Sequence, residues 1–302
     1  MSRIFRFLSD RPYILLLLVA LFWSGNSIVG RAVIDAVPPL GLAFWRWFFA
    51  FLLLLPFAWK PMRDDLPLIK MEWKRIVLLG LVGITAFNTG LYIGLHTTHA
   101  INSGLIQTLM PLMVIVLVVF LGEFPSLSQL SGILLAFAGV IYMLFRGDME
   151  LMRHLAFTRG DLWILSAVFL YALYSVGLRW RPRLHPLSFL AATFAVGWIS
   201  LLPLYLGETM LGHPMPFTAA SIGAIFYVSI FPSILAYLFY NRAVEVLGAA
   251  RAGVALYLVP VILSVLAIIL LGETFHLYHG IGMLFIMGGI AIAEKTRTGK
   301  SL

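Results

Sequence analysis

Residues 100–123 read AINSGLIQTLMPLMVIVLVVFLGE, and residues 248–273 read GAARAGVALYLVPVILSVLAIILLGE. Each is an unbroken apolar run opened by small residues, interrupted by one proline and closed by Gly-Glu. Gly104 and Pro111 in the first return as Gly253 and Pro260 in the second. After a one-residue slip, Gly122-Glu123 returns as Gly272-Glu273, and Gly139 as Gly289. Further out the agreement weakens but persists: Trp23, Ser27 and Arg31 correspond to Tyr171, Ser175 and Arg179. The chain therefore divides into two related halves, 1–147 and 148–302. Continuous runs of this length without alternation predict helices rather than strands.

Such runs fill the rest of the chain. Of 302 residues, 61% are hydrophobic and only 11% charged, and the mean hydropathy is +0.98. That is too little charge to cover a soluble surface. A hydrocarbon layer about 30 Å thick takes roughly 20 helical residues to cross. The runs predict ten spanning helices near 12–34, 40–59, 75–95, 99–121, 128–145, 160–179, 186–206, 218–240, 248–271 and 276–293. Arg3, Arg6 and Arg11 ahead of the first run mimic a secretory signal. The run is too long for one and more spans follow, so it reads as a retained first helix.

The net charge of +8 has a topological explanation. Ten spans put both termini on one face. That face collects Arg3, Arg6, Arg11, Lys60, Arg63, Lys70, Lys74, Arg75, Arg179, Arg181, Arg183, Arg242, Arg251, Lys295, Arg297 and Lys300. The other face has Arg31, Arg146, Arg153 and Arg159, and Arg46 lies within a span. The positive-inside rule then places both termini in the cytoplasm. The charge asks for a lipid bilayer rather than a nucleic acid as the basic chain's partner. Five spans per half is an odd number, so the second half enters the membrane from the opposite side. Inverted halves that exchange conformations supply alternating access, which points to a carrier.

These features resemble the EamA family of the drug/metabolite transporter superfamily. The resemblance covers essentially the whole chain. It is carried by Trp23-Ser24 in the first span, Phe44-Trp45-Arg46 in the second, and the two copies of the small-residue, proline and Gly-Glu pattern. It implies export of small metabolites, amino acids prominent among them, by a protein of a bacterial inner membrane. Asn88 and His96 depart from the apolar residues the pattern leads one to expect.

Polar groups in the middle of a span need a reason, because each unsatisfied one costs kilocalories. Trp23, Asn26, Ser27 and Gly30 share one face of the first helix, and Tyr171, Tyr174 and Ser175 repeat that face in the sixth. The third span offers Asn88, Tyr92 and His96; the eighth offers Tyr227, Ser229, Ser233 and Tyr237. The fourth and ninth align Gln107 with Pro111 and Tyr257 with Pro260. Two readings stay open for each group, a substrate cavity or simple helix packing. Trp23, Asn26, Ser27, Asn88, Tyr92, Gln107, Tyr171, Tyr174, Ser175, Tyr237 and Tyr257 are the expected lining. Pro111 and Pro260 are the expected bending points, since proline frees a carbonyl. Arg46 is expected to extend along its apolar stem to the outer interface, with attraction of a substrate carboxylate as the alternative. Glu123 and Glu273 cap helices, meet solvent or pair with a basic residue.

Several functions are excluded. There are no cysteines, hence no disulfides or thiolate sites. His96 and His99 form an isolated H-x-x-H pair, a weak metal site without further ligands. No phosphate-binding loop, H-E-x-x-H or nucleophile elbow occurs, so neither a cofactor nor an enzyme is expected. All thirteen acidic residues fall in loops, tails or helix ends, which disfavours proton coupling through a central carboxylate. The expectation is an all-α transporter, a monomer or homodimer with a small-molecule substrate. A drug or lipid flippase and a non-transporting scaffold or receptor are the alternatives.

Overall fold

The computed structural model describes residues 11–33, 36–98, 100–155, 157–271 and 274–294. Arg3, Arg6, His99, Gly272, Glu273, Lys295, Arg297 and Lys300 lie outside the described residues. Among the described residues, ten helices are long and apolar enough to cross a membrane. They are α1 (Pro12–Val33), α2 (Pro39–Asp64), α3 (Trp73–Thr97) and α4 (Asn102–Phe120), and α5 (Leu127–Leu144). After them come α6 (Arg159–Trp180), α7 (Pro186–Met210), α8 (Ala219–Leu247) and α9 (Ala249–Leu270), and α10 (Leu277–Glu294). No strand occurs among the described residues.

Helix starts follow local chemistry. Ser126 and Gln129 form a reciprocal capping box at α5, with both bonds at 3.1 Å. Thr158 and Asp161 do the same at α6, satisfying N–H groups that the first turn leaves free. Helix ends were harder to read. α2 runs to Asp64 and α8 to Leu247, past the expected stops near 59 and 240. Both continue as amphipathic turns. In the last turns of α8, Arg242 and Glu245 pair at 3.1 Å while Ala243 and Val244 stay buried. Hydropathy falls there, but backbone bonding does not require an apolar residue at every position.

The packing respects the repeat. α1 lies against α8 and α9, and α6 lies against α3 and α4; α2 pairs with α7, and α5 with α10. Exchanging the first five helices with the last five leaves this set of pairings unchanged. The irregularities repeat as well. α3 carries a π turn at Leu81–Ala86 and α8 carries one at Ile230–Leu235, each at the same place in its half. α4 breaks between Gln107 and Met110, and α9 tightens into a 3-10 turn at Ala255–Tyr257. Each break sits just ahead of the paired prolines, Pro111 and Pro260. A proline has no N–H for the carbonyl one turn earlier, so the helix gives way there.

The α2–α7 pair is locked at both ends by carboxylates. Glu208, near the end of α7, accepts the backbone N–H groups of Leu40 and Gly41 at the start of α2, at 3.1 and 2.6 Å. Asp65, just past α2, accepts the N–H of His185 ahead of α7 at 2.8 Å. A carboxylate there both fills free donors and meets the positive end of the helix dipole. Glu208→Ala is expected to cost about 1–2 kcal/mol. The measurement is the thermal unfolding midpoint of purified protein in detergent, and an unchanged midpoint would show that the cap is idle.

Candidate functional site

The middle of the bundle is held by one arginine. Arg46, on α2, is 4% exposed. Its Nε donates to Ser233 Oγ at 2.6 Å, and its Nη1 to Tyr92 OH at 3.0 Å and to Asn88 Oδ1 at 3.4 Å. Its Nη2 donates to the Pro232 carbonyl at 3.3 Å, and the guanidinium lies 5.0 Å from the centre of the Trp47 ring. This corrects the expectation that Arg46 reaches the outer interface. Four acceptors on α3 and α8 hold the head inside the bundle instead.

Two of those acceptors, Pro232 and Ser233, lie in the π turn of α8, and Asn88 and Tyr92 follow the π turn of α3. Pro232 lies in the α8 turn, and its carbonyl receives both Arg46 and Trp23 Nε1, the latter at 3.3 Å. Ser233 Oγ donates to the Val228 carbonyl at 2.7 Å while accepting from Arg46. In α3 the equivalent turn exposes the Gly83 carbonyl, which accepts Tyr237 OH at 2.7 Å. Asn88 Nδ2 donates to the Ile84 carbonyl of that same turn at 2.7 Å. A π turn shifts the ladder by one residue, so carbonyls become available to side chains, a feature frequent at functional sites. Gly83 and Pro232 are equivalent positions of the two halves, as are Asn88 and Tyr237, and Tyr92 and Asn241.

Around the arginine lies a packed aromatic layer. Trp23 meets Tyr171 edge-on at 5.6 Å and lies 5.6 Å from Tyr240. Tyr237 is 5.1 Å from Trp47 and 5.9 Å from Tyr174. Tyr171, Tyr174, Tyr237 and Tyr240 are all fully buried. Tyr174 OH donates to Asn241 Oδ1 at 2.9 Å, and Ser175 Oγ and Tyr240 OH are hydrogen-bonded at 2.8 Å. The hydroxyl of Tyr171 and the Nδ2 of Asn241 are buried without a hydrogen-bond partner among the described residues. Such groups carry a desolvation cost that an incoming polar molecule would relieve.

Asn241 and Ser175 are also the inner wall of a cavity of about 500 Å³. Its mouth is formed by the ends of α4, α6 and α8 and the starts of α5 and α9. Arg179, Arg181, Arg183 and Arg251 line it, facing Glu123 and Glu245. Glu123 pairs with Arg179, and Arg181 pairs with Glu245 at 2.8 Å. This is the face on which α1 begins: Tyr13 there bonds to Glu294 at the end of α10. At the opposite face, buried Asp161 of α6 ties down the α3–α4 corner. It accepts from Thr98 and, at 2.9 Å, from Asn102 Nδ2.

The structure thus brings Trp23, Asn88, Tyr92, Tyr171, Tyr174, Ser175 and Tyr237 into one cluster. Ser27 turns its hydroxyl to the Trp23 carbonyl of its own helix at 3.2 Å, and Asn26 is half-buried beside it. Gln107 is exposed and bonds only within its helix, to Ser103. Tyr257 is buried in a separate core shared by α4, α5, α9 and α10. Tyr240, Asn241 and Trp47 belong to the cluster and were not anticipated. The correspondence of Tyr92 with Asn241 was the signal that could have found Asn241. Exposed His96 bonds to the Tyr92 carbonyl, and no metal-binding group of His, Asp and Glu occurs among the described residues. The centre offers hydroxyl, amide and guanidinium groups among rings, which suits reversible binding of an amphipathic molecule.

Ten membrane-length helices around a polar centre, in two halves with matching packing and matching breaks, define the class as a polytopic membrane transporter. The chain belongs to the EamA-like transporter family, whose model matches it twice, over residues 10–145 and 158–294. It is an integral, multi-pass membrane protein. An uncharacterized transporter, YyaM, of Bacillus subtilis (strain 168) is 28% identical over 290 residues, 93% of both chains. A probable terminal-alkyne amino-acid exporter of Streptantibioticus cattleyicolor is 26% identical over 245 residues, covering 80% of this chain and 77% of that one. A crystal structure sharing 19% identity superposes with a TM-score of 0.78, covering 97% of this chain and 99% of that one, and so shares the fold.

Proposed function

We propose that the protein exports small amphipathic metabolites, amino acids or close relatives, across a bacterial inner membrane by alternating access, with both termini cytoplasmic. The observation that carries this reading is the cavity. It opens on the face where α1 begins and ends on partly unsatisfied polar groups at the aromatic layer. The Asp161 tie holds the other face together. On this reading the conformation faces inward. The second five helices are the first five inverted, so exchanging the two packings closes this mouth and opens the far one. The amino-acid assignment draws on the exporter from Streptantibioticus cattleyicolor and on a centre with both rings and hydrogen-bonding groups. Among the described residues no carboxylate lies in the middle of a span, so facilitated efflux or exchange is simpler than proton coupling.

The natural chain lacks cysteine, which makes the test direct. Ala250→Cys, on the partly exposed wall of the cavity, is expected to react with a membrane-impermeant maleimide from the cytoplasmic side of inside-out vesicles, at least tenfold faster than from the outside of whole cells. Excess transported amino acid should slow that reaction. Labelling confined to the outer side would overturn the assigned orientation. The absence of counterflow by any amino acid, nucleoside or cationic drug in proteoliposomes would overturn the exporter reading itself.

A further inference from the structure

The geometry points to Arg46 as the recognition site for a carboxylate on the transported molecule, a proposal that rests on the carrier reading above. A guanidinium stays charged under all physiological conditions. Arg46 is nevertheless buried at the middle of the bundle, and every acceptor it meets is neutral: a hydroxyl of Ser233, the phenol of Tyr92, the amide of Asn88 and the carbonyl of Pro232. None of the ion pairs among the described residues includes it. A charge inside a low-dielectric medium without an opposite charge is costly, and its natural complement is an anion.

The fold does not require this cation. α2 and α7 align from Pro39 with Pro186 through Pro56 with Pro203, which sets Arg46 opposite Thr193 in the other half. Thr193 is equally buried and bonds only the carbonyls of its own helix, Phe189 and Leu190, at 3.0 Å each. One half packs well with a small hydroxyl where the other half keeps a charge. That difference assigns the guanidinium to the ligand rather than to packing.

The approach is also favourable to an anion. Four arginines against two glutamates line the mouth. Between the cavity wall at Asn241 and the guanidinium stands one buried layer, Tyr174, Tyr237 and Trp47, which must part for the ligand to reach Arg46. The bonds from Arg46 to Asn88 and Pro232, at 3.4 and 3.3 Å, are the long ones. These are the Nη donors that a carboxylate would take side by side. Ser233 and Tyr92, at 2.6 and 3.0 Å, would continue to hold the arm.

The test compares amino acids with their amides, which keep the amino group and lose the carboxylate. Phenylalanine, leucine, phenylalaninamide and leucinamide are assayed by ligand-induced thermal shift in detergent, and the acids by counterflow in proteoliposomes. Wild type is expected to bind the acids at least tenfold more tightly than the amides. Arg46→Gln should lose at least tenfold for the acids, and change less than twofold for the amides. Arg46→Lys should restore part of the preference. Equal affinity for acids and amides in wild type would overturn the proposal, even with counterflow intact and the carrier reading standing. So would an Arg46→Gln protein that loses both ligand types alike, which is the signature of a brace. If Arg46→Gln does not fold, the wild-type preference and its partial retention in Arg46→Lys decide. Wild type that binds and carries none of the four overturns the proposal together with its amino-acid premise.

Discussion

Gly289→Val should abolish the folded protein, while Gly288→Ala, one residue away on the same helix, should be silent. α5 and α10 approach backbone to backbone. A Cβ on Gly289 would stand 2.4 Å from the Gly132 carbonyl oxygen and 2.5 Å from the Ala136 nitrogen. A Cβ on Gly132 would stand equally close to the Gly289 carbonyl oxygen and the Ala293 nitrogen. The repeat makes a second such crossing, where a Cβ on Gly139 would meet the Gly282 carbonyl oxygen at 2.8 Å. A flexible side chain can move aside for an added methyl group, but a backbone in a hydrogen-bonded helix cannot. Overpacking commonly costs about 1–3 kcal/mol. Parting two helices that depend on close approach for dispersion contacts belongs at or above that upper end, because lipid supplies no hydrophobic drive to hold them together. At Gly288 the nearest atom to an added Cβ is a leucine methyl 3.9 Å away, an ordinary contact. Fluorescence size-exclusion profiles of the two variants check this. A monodisperse Gly289→Val protein with the wild-type unfolding midpoint would refute it.

Asn88→Ala should reduce counterflow about tenfold per folded molecule and lower the unfolding midpoint. Asn88 is fully buried, donates to the Ile84 carbonyl and accepts from Arg46. Removing it leaves one guanidinium N–H without its partner and takes from the Ile84 carbonyl one of its two donors, the backbone N–H of Phe87 remaining. A hydrogen bond to a charged group is worth about 1.5–3 kcal/mol, and each 1.4 kcal/mol is roughly a factor of ten in an equilibrium. The larger consequence is positional. Arg46 would keep its charge but lose one of its two contacts to α3, with Tyr92 alone left to orient it on that side. Transport should therefore fall further than folded yield does. Flux per folded protein equal to wild type would mean that Asn88 only braces α3 against α2.

Much of the architecture was legible in residue order. The spans followed from run length, because a membrane asks for one thing along twenty residues. The duplication followed from Gly104, Pro111, Gly253 and Pro260. Helix ends were less legible, since α2 and α8 continue as amphipathic turns that hydropathy does not register. Part of the centre was also legible: Trp23, Asn88, Tyr171 and Tyr237 stood out as polar or aromatic groups at depth. Gln107 and Tyr257 have the same depth and residue character, yet one faces outward and the other faces α4, α5 and α10. Depth along a helix is written in sequence position, but rotation about its axis depends on which neighbours crowd it.

Arg46 shows the boundary most clearly. The sequence by itself determined that a cation lies within the second span and that an isolated charge there needs an explanation. It could not determine which way the side chain runs. That required two π turns, in α3 and α8, that place Asn88, Tyr92, Pro232 and Ser233 around it. A π turn is a one-residue slip in a hydrogen-bond ladder, with little signature in composition. Its stability comes from the side chains of other helices that take up the released carbonyls, so only the assembled bundle decides it.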